Sequence, residues 1–365
     1  MTNRATNRRT LLGSALLMAG GSAIAPAFAS GPAFADTATA TRDFDAEIIA
    51  ALRAAKDAAG LEHFGTLDRL GLLPPSNGAP STTDVTPAYI TDPSKAPAKA
   101  TWYADATQVF DDLYFVGGSI HSAWLLKTSA GLILIDTIWQ YNAKTLILDG
   151  MRKFGFSPTD IKRIIVSHAH ADHIGGVQVV QEATEGAPVI MGAPDWDAVL
   201  ARPKTFLGTT PDVATGIRVD ADAPLYNVHL GDTTVRIIPT PGHTPGTLSM
   251  IFTVHDFGEP VTVAYVGGTA FNFQNSTPVP GIANYQTYID SVLKMQKAAS
   301  TAGATVLMSN HTEFDNAWLK ARMMGSRGFG PNPFVNGAAS VDNYFTMTQN
   351  CAVAAQLALV KKAAA

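Results

Sequence analysis

Residues 164–176 constrain what this chain can fold into more than any other stretch. An apolar run, Ile164, Ile165 and Val166, leads into three histidines and an aspartate within six positions: His168, His170, Asp172 and His173. Gly175 and Gly176 follow. Imidazole and carboxylate at this density suit a borderline divalent ion such as zinc. Such ligands work only if a rigid element delivers them, and a buried strand running straight into the cluster does so. His168 and His170 are two apart, so both rings project to one side of an extended chain. Asp172 and His173 come in the turn that follows and face a second centre.

One ion takes about three protein ligands and leaves a position open for water. The cluster offers four ligands, and two more histidines stand ready at the ends of apolar strands. His243 lies in Thr240-Pro241-Gly242-His243-Thr244-Pro245-Gly246, a rigid turn after a strand at 234–239. His311 directly follows the apolar run 306–308. Six ligands make two sites, His168, His170 and His243 for one ion, Asp172, His173 and His311 for the other. Two zinc ions per chain are expected, although iron or manganese also suits such ligands. A water between two cations about 3.5–4 Å apart loses a proton near neutral pH, and the same cations polarise a carbonyl under attack. Asp172 is the expected catalytic carboxylate, fixing that hydroxide through its free oxygen. The isolated His63, His229 and His255 read as structural. His121 ends a glycine-rich loop, Gly117-Gly118-Ser119-Ile120-His121, that is able to reach the site.

The rest of the chain supplies a scaffold. Hydrophobic residues make up 46% and charged residues 15% of 365, which suits a globular protein with a sizeable core. The formal charge is −4, and the first 35 residues carry three arginines and no acid, so a chain without them stands at −7. That balance argues against nucleic acid or an anionic membrane surface as partner and leaves a small-molecule substrate. Cys351 is the only cysteine, so an intrachain disulfide and a thiolate cluster are both excluded.

Arg8 and Arg9 precede an apolar, Ala- and Gly-rich run to about Ala29, with small-x-small sites at Ala27-Phe28-Ala29 and Ala33-Phe34-Ala35. This pattern reads as an export signal over residues 1–35, of twin-arginine type, cleaved at Ala29 or Ala35 and leading to the periplasm. The run is too short and too rich in small residues for a lasting membrane anchor. Residues 36–100 read as a helix at 44–59, with Ile48, Leu52 and Ala55 on one face, and a proline-rich strap without regular structure at 73–100.

Residues 101–365 read as the hydrolase domain. Strands are expected at 113–116, 123–127, 132–136, 162–167, 189–191, 228–230, 234–239, 247–253, 261–266 and 305–309. Helices are expected from Asn142 as cap to about Phe154, after Gly176, and at 194–200, 285–299, 314–324 and 341–359, with Ile289, Leu293 and Met295 inward. Strands in meanders flanked by helices, twice over, give two sheets face to face with helices outside.

At this point a resemblance is plain. Residues 101–314 resemble the metallo-β-lactamase superfamily. His168, His170, Asp172 and His173 match its signature motif, His243 in Pro-Gly-His-Thr-Pro-Gly its next motif, and His311 its last histidine. The resemblance implies a four-layer αβ/βα sandwich. Leu134-Ile135-Asp136-Thr137 resembles the family's buried strand, which implies that Asp136 supports the ligands from behind. Many hydrolases of the family bridge both metals with an aspartate. Here Ala264-Tyr265-Val266-Gly267-Gly268-Thr269 offers neither acid nor thiol, and Gly268 or Thr269 takes that place. This resembles the all-histidine third subclass of metallo-β-lactamases, in which Asp, His and His hold the second zinc. That subclass has a serine-rich loop near the substrate carboxylate; residues 267–273 differ from it and offer Thr269 and Asn272.

The resemblance implies an exported di-zinc hydrolase in which a metal-bridging hydroxide opens a β-lactam amide. A second reading keeps the site and opens a lactone, ester or amide of another kind, since fold does not dictate substrate. A third, non-catalytic metal binding, sits poorly with a complete ligand set.

Overall fold

Leu132, Ile133, Leu134 and Ile135 are all buried, yet they divide between two cores. Ile133 and Ile135 face one way and Leu132 and Leu134 the other, as the two-residue period of a strand requires when both faces of its sheet are covered. The computed structural model describes residues 42–74, 88–201, 214–271 and 278–365. The expected export signal and Asn272 lie outside the described residues.

Among the described residues the strands form two sheets. The first has β1 (Thr107–Phe110), β2 (Leu113–Phe115), β3 (Trp124–Thr128), β4 (Gly131–Ile135), β5 (Ile161–Ile165), β6 (Val189–Gly192) and β7 (Ile217–Val219) side by side in chain order. β1 to β4 pair antiparallel, and β4 to β7 pair parallel. The second contains β8 (Tyr226–Leu230), β9 (Thr233–Pro239), β10 (Leu248–Asp256), β11 (Glu259–Val266) and β12 (Val306–Ser309). It is antiparallel except for β11 and β12, which run parallel.

The inner faces meet in one core. Phe115, Trp124, Leu126, Ile133 and Ile165 from the first sheet pack with Ile237, Met250, Phe252, Tyr265 and Met308 from the second. Behind the first sheet, Leu134, Ile164 and Val166 pack on Ile147, Met151, Val177 and Val180 of the helical segments. Behind the second, Ile251, Ala264 and Leu307 pack on Tyr288, Ile289 and Met295 of helix Pro278–Thr301 and on Tyr344 and Phe345 of helix Ala338–Ala364. This is the four-layer αβ/βα sandwich. Helix Phe44–Ala59 begins at Asp43, whose side chain accepts the Ala46 N–H, and lays Ile48 and Ala51 against Ala354 and Leu357. Within residues 43–365 the chain forms one compact unit.

Several details differ from the sequence reading. Asn142 is not a cap: the helix starts at Gln140, Trp139 is its N-cap, and Asn142 is buried in the first turn. Lys144–Leu148 winds as a π-type turn. Leu293 points outward, 42% exposed, and Val292 takes its place inside. In the strap, residues 75–87 lie outside the described residues, while Ala88–Thr91, Pro93–Lys95 and Lys99–Thr101 are short helical turns. Asp92 begins the second of these by accepting the Ser94 N–H, a cap made by the residue before a proline. Helix Phe64–Leu70 and the short β1 and β7 carried too few periodic residues to stand out.

Candidate metal centre

β5 ends at Ile165, and Val166 still reaches the neighbouring strand through its N–H to the Ile190 carbonyl. The chain then leaves the sheet. His168 is fully buried, His170 caps a single helical turn, Ala171–Ile174, and Asp172 and His173 lie within that turn. Gly176 lets the segment close on the β4 loop: a Cβ there would stand 2.3 Å from the Thr137 carbonyl oxygen and 2.4 Å from the Ala143 Cβ.

The first ligand set converges as expected. His168 Nε2 and His170 Nδ1 are 2.9 Å apart, His170 Nδ1 and His243 Nε2 3.1 Å, and His243 Nε2 and His168 Nε2 3.0 Å. In the second set, Asp172 Oδ2 stands 3.3 Å from His173 Nε2 and 3.2 Å from His311 Nε2, with the two nitrogens 3.1 Å apart. The sets adjoin, with the rings of His168 and His173 4.3 Å apart. Tetrahedral ligands on zinc–nitrogen bonds of about 2.0–2.1 Å are spaced about 3.3 Å apart, so each set needs only a few tenths of an ångström to fit an ion.

Tautomers make the stronger case. His168 Nδ1 is 2.9 Å from the Gly267 carbonyl oxygen and His243 Nδ1 2.7 Å from that of Ala270. A carbonyl only accepts, so both Nδ1 atoms carry the proton and both Nε2 atoms present bare lone pairs. Two lone pairs 3.0 Å apart repel unless a cation lies between them. His173 likewise turns Nδ1 to a carboxylate, Asp136 Oδ2 at 3.1 Å, which frees its Nε2. Binding of the second ring nitrogen to a carbonyl or carboxylate is the usual support of a metal-ligating histidine. His311 Nδ1 is buried with no hydrogen-bond partner among the described residues.

Electrostatics agree. Burial, reinforced by the neighbouring histidines, holds His168 and His243 well below the usual imidazole range, in the neutral form that binds metal. Burial pushes the Asp172 carboxyl up, but the positive His173 and the N–H groups of His121, His173 and His311 overcome it and hold it well below the carboxylate range. Burial likewise opposes the charged form of His173, yet Asp172 and Asp136 raise it. A metal held by His173 would take the place of that proton.

Asp136 is fully buried in the left-handed region at φ 59°. It accepts the Ser167 N–H at 2.6 Å, the Ser167 hydroxyl at 2.9 Å and the Tyr265 hydroxyl at 3.1 Å, besides His173. Thr269 is turned away from the site. Its hydroxyl meets Tyr344 at 2.7 Å on the C-terminal helix, so it faces neither ligand set. Gly268 packs on His243 instead, and a Cβ there would lie 2.5 Å from the His243 Cβ. Neither position supplies a bridging ligand. His121 is beside the second set, Nε2 3.3 Å from Asp172 Oδ2. His63 bonds Ser340, His229 bonds Thr234, and His255 pairs with Asp112, all away from the ligands.

Sequence reasoning missed Asp195. Buried at the start of helix Ala193–Ala201, it accepts the Ala169 N–H at 2.7 Å, the Thr244 hydroxyl at 2.8 Å and the Gly246 N–H at 2.8 Å. It thereby ties the loop of His170 to the turn of His243. Nothing local in Ala193-Pro194-Asp195-Trp196 marks that role. An aromatic wall was also missed. Tyr89, Trp102, Trp139 and Tyr141 stand half-buried in contact with one another, Trp139 against His121, with Trp139 and Tyr141 stacked at 6.0 Å and Tyr89 edge-on to Tyr141 at 4.9 Å.

Residues 116–257 match the sequence profile of the Metallo-beta-lactamase superfamily. The N-acyl homoserine lactonase AttM of Agrobacterium fabrum is 27% identical over 188 residues, 47% of this chain; the chain thus spans 65% of that relative's length. The N-acyl homoserine lactonase AiiA of Bacillus thuringiensis subsp. kurstaki is 26% identical over 43% of this chain and 68% of its own. Among solved structures, BJP-1, a subclass B3 metallo-beta-lactamase of Bradyrhizobium japonicum, superposes with a TM-score of 0.54 at 28% identity, covering 68% of this chain and 93% of that one. Native FEZ-1 metallo-beta-lactamase from Legionella gormanii shares the fold at a TM-score of 0.58 and 21% identity, covering 68% of this chain and 94% of its own.

Proposed function

This chain carries a metallo-beta-lactamase superfamily domain, and from that premise we propose that it is a di-zinc hydrolase that opens the cyclic amide of a β-lactam. The observation that carries the reading is the pair of ligand sets with no bridging side chain at Gly268 or Thr269. A pair of bound divalent cations supplies Lewis acidity and lowers the pKa of water. Asp172 would orient the attacking water through its carboxylate. His168, His170 and His243 would hold one ion, and His173 and His311 would share the other with Asp172. The aromatic wall of Tyr89, Trp102, Trp139 and Tyr141 would seat the apolar substituent of the substrate and exclude water beside the second set. We propose further that Arg8 and Arg9 direct twin-arginine export to the periplasm.

Opening of a homoserine lactone is a second reading, favoured by the lactonase names of the sequence relatives. A panel on zinc-loaded protein separates the two: a chromogenic cephalosporin, a carbapenem, an acyl-homoserine lactone and aryl esters, each with and without chelator. Chelator-sensitive cephalosporin or carbapenem turnover is the expected result. Lactone turnover with no β-lactam turnover at micromolar enzyme would replace the first reading by the second.

A further inference from the structure

We propose that His121 is a hydrogen-bond donor beside the second set and not a fourth ligand to it, its tautomer being dictated by Trp139. By distance alone His121 qualifies as a ligand. Its Nε2 lies 3.3 Å from Asp172 Oδ2, the same separation as His173 Nε2, and ligand atoms of His121, Asp172 and His311 fall within 4.8 Å of one another. The other ring nitrogen decides otherwise. Trp139 Nε1 stands 3.2 Å from His121 Nδ1. An indole nitrogen donates and never accepts, so Nδ1 holds the bare lone pair. A neutral ring then carries its proton on Nε2, the atom that faces Asp172. A protonated Nε2 has no lone pair for a cation.

The contrast with the neighbours is internal to the site. His168 and His243 turn Nδ1 to carbonyls and His173 turns it to a carboxylate, which directs Nε2 toward the ligand sets in all three. The Asn310 amide also lies 3.3 Å from His168 Nδ1, but there the Gly267 carbonyl is nearer, at 2.9 Å, and sets the tautomer; at His121 Nδ1 the partner is the Trp139 donor. Its position is built: the Ser122 N–H donates to the Asn310 carbonyl and the Thr312 N–H to the Ile120 carbonyl, both at 2.8 Å, which pairs His121 with His311 across the two loops. His121 is therefore a positioning residue. It offers its N–H to Asp172 Oδ2 and leaves Asp172, His173 and His311 as three ligands, with room on the second ion for water or substrate.

The proposal rests on reading the second set as a metal site, but its test does not. Long-range proton–nitrogen spectra of histidine-labelled full-length protein report each ring's tautomer with no metal or substrate present, and His121→Gln identifies the His121 signals by their loss. The expected result is the Nε2–H tautomer for His121, in zinc-free protein and after two equivalents of zinc. Nδ1–H, or a zinc-induced shift at His121 Nε2 of the size seen for His173, would overturn the proposal. Trp139→Phe removes the donor and is expected to move His121 toward Nδ1–H; an unchanged tautomer would show that Trp139 does not set it. His121→Gln is expected to keep two equivalents of zinc, whereas a fall to one would make His121 a ligand.

Discussion

Nδ1 of His173 donates to Oδ2 of Asp136 across 3.1 Å, inside a site where neither side chain is exposed to solvent. That one bond connects strand β4 of the core to the second ligand set. The same carboxylate accepts from Ser167 and Tyr265, so it fixes the start of the histidine loop as well. Asp136→Asn keeps the size and tolerates the left-handed backbone at φ 59°, but it turns an amide N–H₂ toward groups that are donors. Zinc affinity at the second set is expected to fall by about 10–100-fold. Competition with a chromogenic chelator measures it, and wild-type affinity would contradict the role.

Asp195 joins the other two ligand loops. Asp195→Ala leaves the Ala169 and Gly246 N–H groups without their acceptor in a buried place. A cost of about 3 kcal/mol in urea unfolding of the zinc-free protein is expected, because bonds to a charged acceptor contribute about 1.5–3 kcal/mol each and partly overlap here. First-site zinc binding should weaken with it. If unfolding and zinc binding both match the wild type, the tie between the loops is not there.

Metal removal is expected to destabilise the fold. A ligand at 1,000 times its dissociation constant adds about 4 kcal/mol, and zinc also relieves the facing lone pairs of His168 and His243. Scanning calorimetry with and without chelator should show a drop of several degrees in Tm. His168→Ala should shrink that drop and abolish the activity. His229→Ala, exposed and bonded to Thr234, should keep both. Equal losses in the two variants would mean that the ligand assignment is wrong.

Gly268 and Thr269 are adjacent but should respond differently. Gly268→Ala puts a methyl into the His243 ring and is expected to weaken the first zinc site. Thr269→Val removes a hydroxyl that meets Tyr344 and Ser309, so about 1 kcal/mol of stability is lost with zinc affinity intact. A zinc defect in Thr269→Val and none in Gly268→Ala would reverse the placement.

Asp315 gives a pH dependence with a definite sign. Burial pushes its carboxyl up to about 6, against Lys320 and the N–H groups of Ser309 and Ala317. A raised carboxyl pKa means that the folded chain holds a proton the unfolded chain has released, so this group's contribution is largest at low pH and is lost as pH rises through 6. Between pH 5 and pH 7 the wild type should lose about 1 kcal/mol relative to Asp315→Asn. Parallel stability curves for the two proteins would rule the shift out.

The two-residue period of strands such as β4 and the density of histidine after β5 were legible before any coordinates. Both are local: side chains two apart share a face, and a strand that ends in three histidines and an aspartate within six residues points to metal binding. The elements that escaped were short or carried by irregular backbone. Helix Phe64–Leu70 and the turns of the strap are examples, as is the shift of the cap from Asn142 to Trp139.

The amino-acid sequence by itself determined which groups are offered as ligands: their types, their spacing within 168–173, and the rigid turns that carry His243 and His311. Tertiary structure alone decided what those groups face. It brought Asp195 to Ala169 and Gly246, turned Thr269 to Tyr344 and Gly268 to His243, and set Trp139 on His121. Spacing along a chain fixes direction within one element. The partner met across 18 to 143 residues, as for Trp139 with His121 or Asn310 with Ser167, follows from how two sheets and their loops close around one core.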